Sequence, residues 1–470
     1  MSNNEICKGA AGFGGINLYD VTDPEHPTPL SVGVGDSTDG GNQKKTANQT
    51  HSVFAWDAGE RAYAVMVDNE ENADVDILDI TDPKKPFLAA EYDLAAKFPA
   101  ILQPGMGLDE VFLHDMIVEE VGDRFVMIAS YWDAGYVKLD VTDVVNPVLL
   151  ADSDFSDPDT APAEHGLTVA PEGNAHQAEF AGAARQFVIG ADEDFDPYAI
   201  KARNATDDTR IDASTGSDTP PLKEGQTITG QSVFAGRACT QTGGDPAVPK
   251  GNVTQIAVVE RGLCTFTEKV APVQAAGGYA GILVFNRTAP DGCNAALGMS
   301  VQGGIPTFGV APREQGFALF EAAYDDAACR AGNGTQLAPI TLGATGDTVT
   351  FESYFDGWGS VRLFDAATMK ELDAYSIPEA HDPAFANGFG DLSVHEVAVS
   401  EVNPNLAYLS YYTGGPPGDR HRRRRDHGGR RLHRRGRQQL LGVETFVEDG
   451  VEYAVMSDRD KGLYIYQYMP

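Results

Sequence analysis

The sequence predicts a mainly β chain, a six- or seven-bladed β-propeller interrupted by an α/β insert. Two observations carry this: a strand-and-turn phrase recurs along the chain, and over 198–350 a different pattern replaces it. The phrase is INLYDVTDP at 16–24, DILDITDP at 76–83, VKLDVTDVVNP at 137–147 and VRLFDA at 361–366. Each is a short run of alternating apolar residues closed by Asp and, in three cases, by Thr and Pro as well. Asp and Thr side chains bond their own backbone, and Pro cannot donate to a ladder, so each run is a strand followed by an enforced stop. Self-similarity about every 60 residues is the mark of a repeat architecture. A repeated four-strand unit that cannot bury its own faces is a propeller blade.

The flanks of the phrase supply the other three strands. A first strand opens at a histidine: His51, His114, His176 and His395. A second follows at 61–67 (RAYAVMV), 124–129 (RFVMIA), 185–190 (RQFVIG) and 407–412 (AYLSYY). The phrase is the third strand, and an apolar run such as 87–94 is the fourth. This order resembles the LVIVD-repeat family, whose units build extracellular β-propellers. The resemblance covers most of the chain outside about 198–350 and implies fold rather than activity, because propellers host many functions.

At 470 residues, two domains are expected: a propeller over 1–197 and 351–470, and the insert between them. A formal charge of −34 and a pI near 4.5 speak against nucleic acid as a partner and suit a secreted or salt-tolerant protein. No run of 18 apolar residues is present, so no membrane span is expected. The opening MSNNEICKGAAG lacks the apolar stretch of a signal peptide and starts at the third strand of a blade. Met1 is therefore read as a truncated start, with an export signal lost upstream.

One segment breaks the acidic pattern. Residues 416–437 (PPGDRHRRRRDHGGRRLHRRGR) hold 10 of the 22 arginines and fall where a third strand is due. A basic polyanion-binding arm and a solvated tail are two readings. The preferred one is translation in a shifted frame over 416–441, since CGN codons read one base later give Gly, Asp, Val, Ala or Glu and restore a GLRVIDID-like strand. No function is assigned to these arginines.

Within the insert, 256–286 reads IAVVERGLCTFTEKVAPVQAAGGYAGILVFN. It comprises a β-run, Arg-Gly-x-Cys-x-Phe, helical spacing over 266–276 that ends at a Gly pair, and a second β-run. A further strand is expected at Gly304-Ile-Pro-Thr-Phe-Gly-Val. In order, these features resemble a protease-associated (PA) domain over about 225–345, a non-catalytic module that binds ligands or steers substrates in its families. The blade resumes at 354–365, placing the insert between its second and third strands, and 202–222 reads as linker or irregular loop. Cys239, Cys264, Cys293 and Cys329 all lie here, so two disulfides are expected. Four cysteines allow three connectivities, of which Cys239–Cys264 with Cys293–Cys329 is preferred; four buried thiols is the alternative. Cys7 is left over.

No Gly-x-Ser-x-Gly elbow, His-Glu-x-x-His helix or Cys-x-x-Cys pair is present. The one constellation that could carry chemistry is His51, His114, His176 and His395, expected to form a ring near one mouth of the channel. Convergent imidazoles could hold a transition metal. The alternative, favoured because position-equivalent residues in propellers are more often structural, is that each bonds the neighbouring blade's backbone. Acidic loops at 68–71 and 152–159 could hold Ca²⁺ but lack a defined ligand spacing, and solvated turns are the preferred reading. Five N-x-T sequons, Asn48 and Asn286 among them, carry weight only if the source glycosylates. The expected function is an exported, non-catalytic binding protein for a protein, peptide or glycan. The alternatives are a propeller hydrolase or oxidoreductase with a metal at the histidine ring, and an accessory subunit recruiting substrate to a protease.

Overall fold

Each recurrence of the phrase closes its strand by the same device. The final Asp of the strand accepts a hydrogen bond from a backbone N–H two residues on: Asp20 from Thr22 (2.9 Å), Asp79 from Thr81 (3.0 Å), Asp140 from Thr142 (3.0 Å) and Asp365 from Ala367 (3.1 Å). Such Asx turns offer the backbone an alternative to the ladder and end the strand. The Thr adds a second tie, since its hydroxyl accepts from the N–H that opens the second strand, Ala62 to Thr81 (3.1 Å) and Phe125 to Thr142 (3.0 Å).

The computed structural model describes residues 14–35, 50–69, 73–413 and 439–467, apart from 104–105, 107, 109, 212, 217–218, 224, 241–243, 290–291, 294–296, 298, 300, 311 and 460. The 416–437 segment and Cys7 lie outside the described residues. Two units are present, one formed by the chain up to Pro197 and from Gly357 onward, the other by Tyr198–Asp356.

The first unit is a propeller-like series of small antiparallel sheets. Three have four strands in meander order. They are Thr50–Asp57, Ala62–Asp68, Asp74–Asp79 and Phe87–Asp93; then Asp115–Val121, Arg124–Ser130, Tyr136–Asp140 and Val148–Asp152; then Ala175–Ala181, Phe187–Asp192, Val361–Asp365 and Glu371–Tyr375. Smaller sheets pair Ile16–Asp20 with Thr28–Val34, pair Val394–Val399 with Ala407–Tyr411, and join Leu440–Glu448, Val451–Asp458 and Gly462–Gln467.

Sheet packs on sheet because both faces of the second strands are apolar. In Ala62–Asp68, Ala64 and Met66 pack towards Ile16 and Val34, while Val65 and Val67 pack towards Met116 and Met127. In Arg124–Ser130, Met127 and Ala129 face one way, and Val126 and Ile128 face Ala178 and Val188. A strand buried on both faces reads as a continuous apolar run, as RAYAVMV and RFVMIA do. Each such Val or Met contributes about 1.5–3 kcal/mol relative to exposure. The approach is close at Gly190, where a Cβ would stand 2.4 Å from the Tyr136 ring; the Tyr136 hydroxyl there donates to Asp192 (2.8 Å).

The insert is a separate eight-stranded sheet. Its centre is parallel, Thr227–Phe234, Gln255–Glu260, Gly281–Phe285 and Thr307–Val310 in that order, and Thr345–Phe355 pairs antiparallel with both Thr227–Phe234 and Tyr198–Asn204. The helix Phe266–Ala275 begins at Thr265, whose hydroxyl accepts from the Glu268 N–H (3.2 Å). Two expectations are corrected. The stretch 202–222 is not simply a linker, because Tyr198–Asn204, Thr209–Ile211 and Ala213–Thr215 are strands. Tyr354 and Phe355 belong to the insert's sheet, so the blade resumes at Val361–Asp365. Asn286 is fully buried, which leaves its sequon no room for a glycan.

Candidate functional site

The first strand of each blade sets the site. His51 lies in Thr50–Asp57, His114 immediately precedes Asp115–Val121, and His176 and His395 lie in Ala175–Ala181 and Val394–Val399. These strands neighbour one another from sheet to sheet, which brings the four rings into an arc. Ring centroids are 4.5 Å apart for His51–His114, 4.0 Å for His114–His176 and 4.3 Å for His176–His395.

A residue the sequence reading did not select stands against this arc, beside His114, His176 and His395. One Glu193 carboxylate oxygen lies 3.4 Å from His176 Nε2, and the other lies 3.8 Å from His395 Nε2 and accepts from the Tyr412 hydroxyl. His114, His176 and Glu193 each offer a ligand atom within 4.8 Å of the others. His176 is 2% exposed and Glu193 6%. The signal that could have found Glu193 is positional. It stands eight residues after Arg185, as Trp132 does after Arg124, and Trp132 lies against His114 with centroids 5.2 Å apart. The same place in two successive blades therefore delivers a side chain onto the histidine arc.

The backbone-bonding reading of the ring also has a part in the geometry. His114 Nδ1 lies 3.3 Å from the His176 carbonyl oxygen. A neutral ring that donates from Nδ1 keeps its lone pair on Nε2, the tautomer a metal ligand needs. Burial, then the charge of His51, pushes the His114 pKa down to about 3, and burial holds His176 well below the ordinary histidine range. His51 is lowered too, chiefly by burial. Desolvation of the carboxyl raises Glu193. Burial thus disfavours the charged form of His51, His114 and His176, which lie beside a carboxyl that has little solvent.

Acidic groups continue along the same first strands. Asp115, next to His114, is pushed up to about 7 by burial and then by Glu396. Glu179 is raised well above its usual range by burial, then by Glu444 and Glu119, and these three line one cleft with Arg185 and Glu401. Of the two acidic loops weighed for Ca²⁺ and read as solvated turns, 152–159 has its last carboxylate engaged within the fold: Asp159 caps the helix Thr160–Glu164 and pairs with Arg362 Nη2 (2.7 Å).

In the insert, Cys239 is bonded to Cys264 and Cys293 to Cys329, with Cα separations of 5.7 and 5.9 Å. Lys269 is buried beneath the first pair; its ammonium donates to the carbonyls of Arg237 (2.8 Å) and Gly262 (3.1 Å). Glu260 and Arg313, both buried, form an ion pair at 2.7 Å, and the guanidinium stacks over Phe317 at 4.9 Å.

No curated protein matches the chain. Among solved structures, a zinc aminopeptidase from Bacillus subtilis is 19% identical, with a TM-score of 0.24 over 38% of this chain and 35% of that one. An aminopeptidase from Aneurinibacillus sp. strain AM-1 is 16% identical, with a TM-score of 0.21 over 35% of this chain and 32% of that one. The chain spans about a third of the length of each, and a likeness at these scores carries no argument about activity. The family model described as the PA domain matches residues 228–319, a minority of the chain, and these residues form a PA domain within the insert.

Proposed function

We propose that this chain is an exported, non-catalytic binding protein, a six- or seven-bladed propeller of LVIVD-type repeats carrying a PA domain that engages a protein, peptide or glycan. The observation that carries the reading is the PA domain at 228–319. The two disulfides of the insert suit an oxidising, extracellular setting. A second form of the reading is an accessory subunit that recruits substrate to a separate protease, which a protease-associated module would favour.

The test is to present the full chain to peptide, protein and glycan arrays, titrate the best ligands to saturation, and assay the same preparation for peptide and glycoside hydrolysis. Saturable binding without turnover is the expected result. Turnover that tracks the purified chain and disappears with His176→Gln would replace this reading with the propeller-enzyme alternative. Turnover of a bound ligand only after a protease is added would select the accessory form.

A further inference from the structure

The geometry points to a divalent transition-metal site, of the Zn²⁺ class, built from His114, His176 and Glu193 where the first strands of neighbouring blades meet. This differs from a four-histidine ring in substituting a carboxylate for two of the imidazoles, and it does not depend on the binding reading. Two imidazoles and one carboxylate are a donor set suited to Zn²⁺ and similar borderline ions.

Three features make this a constructed site. A tetrahedral centre with bonds of about 2.0–2.2 Å separates neighbouring ligand atoms by about 3.3–3.6 Å. The edge from His176 Nε2 to Glu193 is already 3.4 Å, and all three ligand atoms fall within 4.8 Å of one another, so side-chain adjustment closes the set. Two of the three ligands are also oriented from behind. His114 is held by the His176 carbonyl, and Glu193 by the Tyr412 hydroxyl, leaving its other oxygen directed at His176. Such outer partners fix tautomer and rotamer in metal centres. Finally, Glu193 is only 6% exposed, and a carboxylate buried to that degree is stabilised by coordinating a cation, which a dication there would supply.

His395 stands beside the set, its Nε2 3.8 Å from Glu193 and its Nδ1 3.4 Å from Glu396. It can take the fourth corner or leave that corner to water. His51 contacts His114 but is outside the ligand set.

The experiment uses the full chain expressed without a histidine tag. Metal content is measured by elemental analysis after purification without chelator; Zn²⁺ and Co²⁺ are then titrated into the chelator-treated protein. Expected are one metal per chain and, with Co²⁺, an intense visible band of a low-coordinate centre. Glu193→Gln and His176→Gln should abolish the band, and Tyr412→Phe should weaken binding by about tenfold as an outer-partner loss. His51→Ala should leave binding within about threefold, far below the loss expected for an outer partner. Circular dichroism and melting accompany each variant. If His176→Gln fails to fold, Glu193→Gln and Tyr412→Phe, which keep shape, decide the matter. No uptake by the wild-type chain overturns the proposal. So does uptake indifferent to Glu193→Gln, which would assign the metal elsewhere, for example to His421, His427 and His433 of the arginine-rich segment. A loss with His51→Ala equal to that with Glu193→Gln would restore the four-histidine ring in its place.

Discussion

Arg362 shows what a single residue carries in this fold. It is the Arg of the VRLFDA phrase, 3% exposed, and its guanidinium meets Asp159 (2.7 Å), Asp192 and Glu371 (3.0 Å) at once. Even beside it, burial holds Asp192 at about 6. Arg362→Met would leave three buried carboxylates without a counter-charge, at a cost of about 3–5 kcal/mol. The pH dependence has a definite sign. A carboxyl whose folded pKa is raised binds its proton more tightly when folded, so its contribution is present at low pH and is lost as pH rises through the folded value. The variant's deficit in urea denaturation should therefore be smaller at pH 5 than at pH 7.5; a deficit that grows on acidification would show that the carboxylates are not the cause. The cluster was not legible in the sequence, because its members come from three separated stretches, at 159, 192 and 362–371. The histidine arc was, because a residue type repeated at one place in four blades is visible without a structure. Glu193 was missed for the opposite reason: it occurs at its position once, where other blades have Trp132 and Asn69.

At the scale of the element, the Asx turn recurs but its surroundings do not. Asp79 is 2% exposed and holds both the Thr81 N–H (3.0 Å) and the Arg61 guanidinium. Asp20 is exposed and closes its turn on Thr22 (2.9 Å). Asp79→Ala strips a buried turn of its acceptor and an Arg of its partner, for about 1–3 kcal/mol. Asp20→Ala, a surface change, should stay within about 0.5 kcal/mol. Chemical denaturation of the two variants in parallel checks the order, and equal losses would mean that the phrase acts through the unfolded chain rather than through these contacts. The long, doubly buried strands of the propeller unit and the parallel strands of the insert were readable as apolar runs. Thr209–Ile211 and Ala213–Thr215 were not, since three-residue strands at a sheet's margin carry too few side chains to show a period, and their Asp, Thr and Ser content reads as loop.

At the scale of the molecule, the insert enters and leaves the propeller through one narrow gate. The Gly357 N–H donates to the Pro197 carbonyl at 3.4 Å, and the strands on either side, Phe187–Asp192 and Val361–Asp365, pair directly with Ala191 opposite Val361. The blade's ladder therefore does not need the insert to bring its strands together. Replacing Tyr198–Asp356 by a linker of about 2–4 residues, a length hairpins use routinely, should give a chain that still folds. The candidate metal ligands His114, His176 and Glu193 all lie in the remaining unit, so Zn²⁺ uptake should match that of the full chain. The converse concerns the disulfides, both confined to the insert, with loops of 25 and 36 residues. Removing one costs about 2–5 kcal/mol in small exported domains. In calorimetry of the full chain, reductant should then lower one unfolding transition and leave the other in place, and the deletion variant should show only the insensitive transition. A deletion variant that binds hydrophobic dye and melts without cooperativity would mean that the propeller borrows its stability from the domain it carries. A reductant-sensitive transition surviving in that variant would place the sensitivity outside the disulfides.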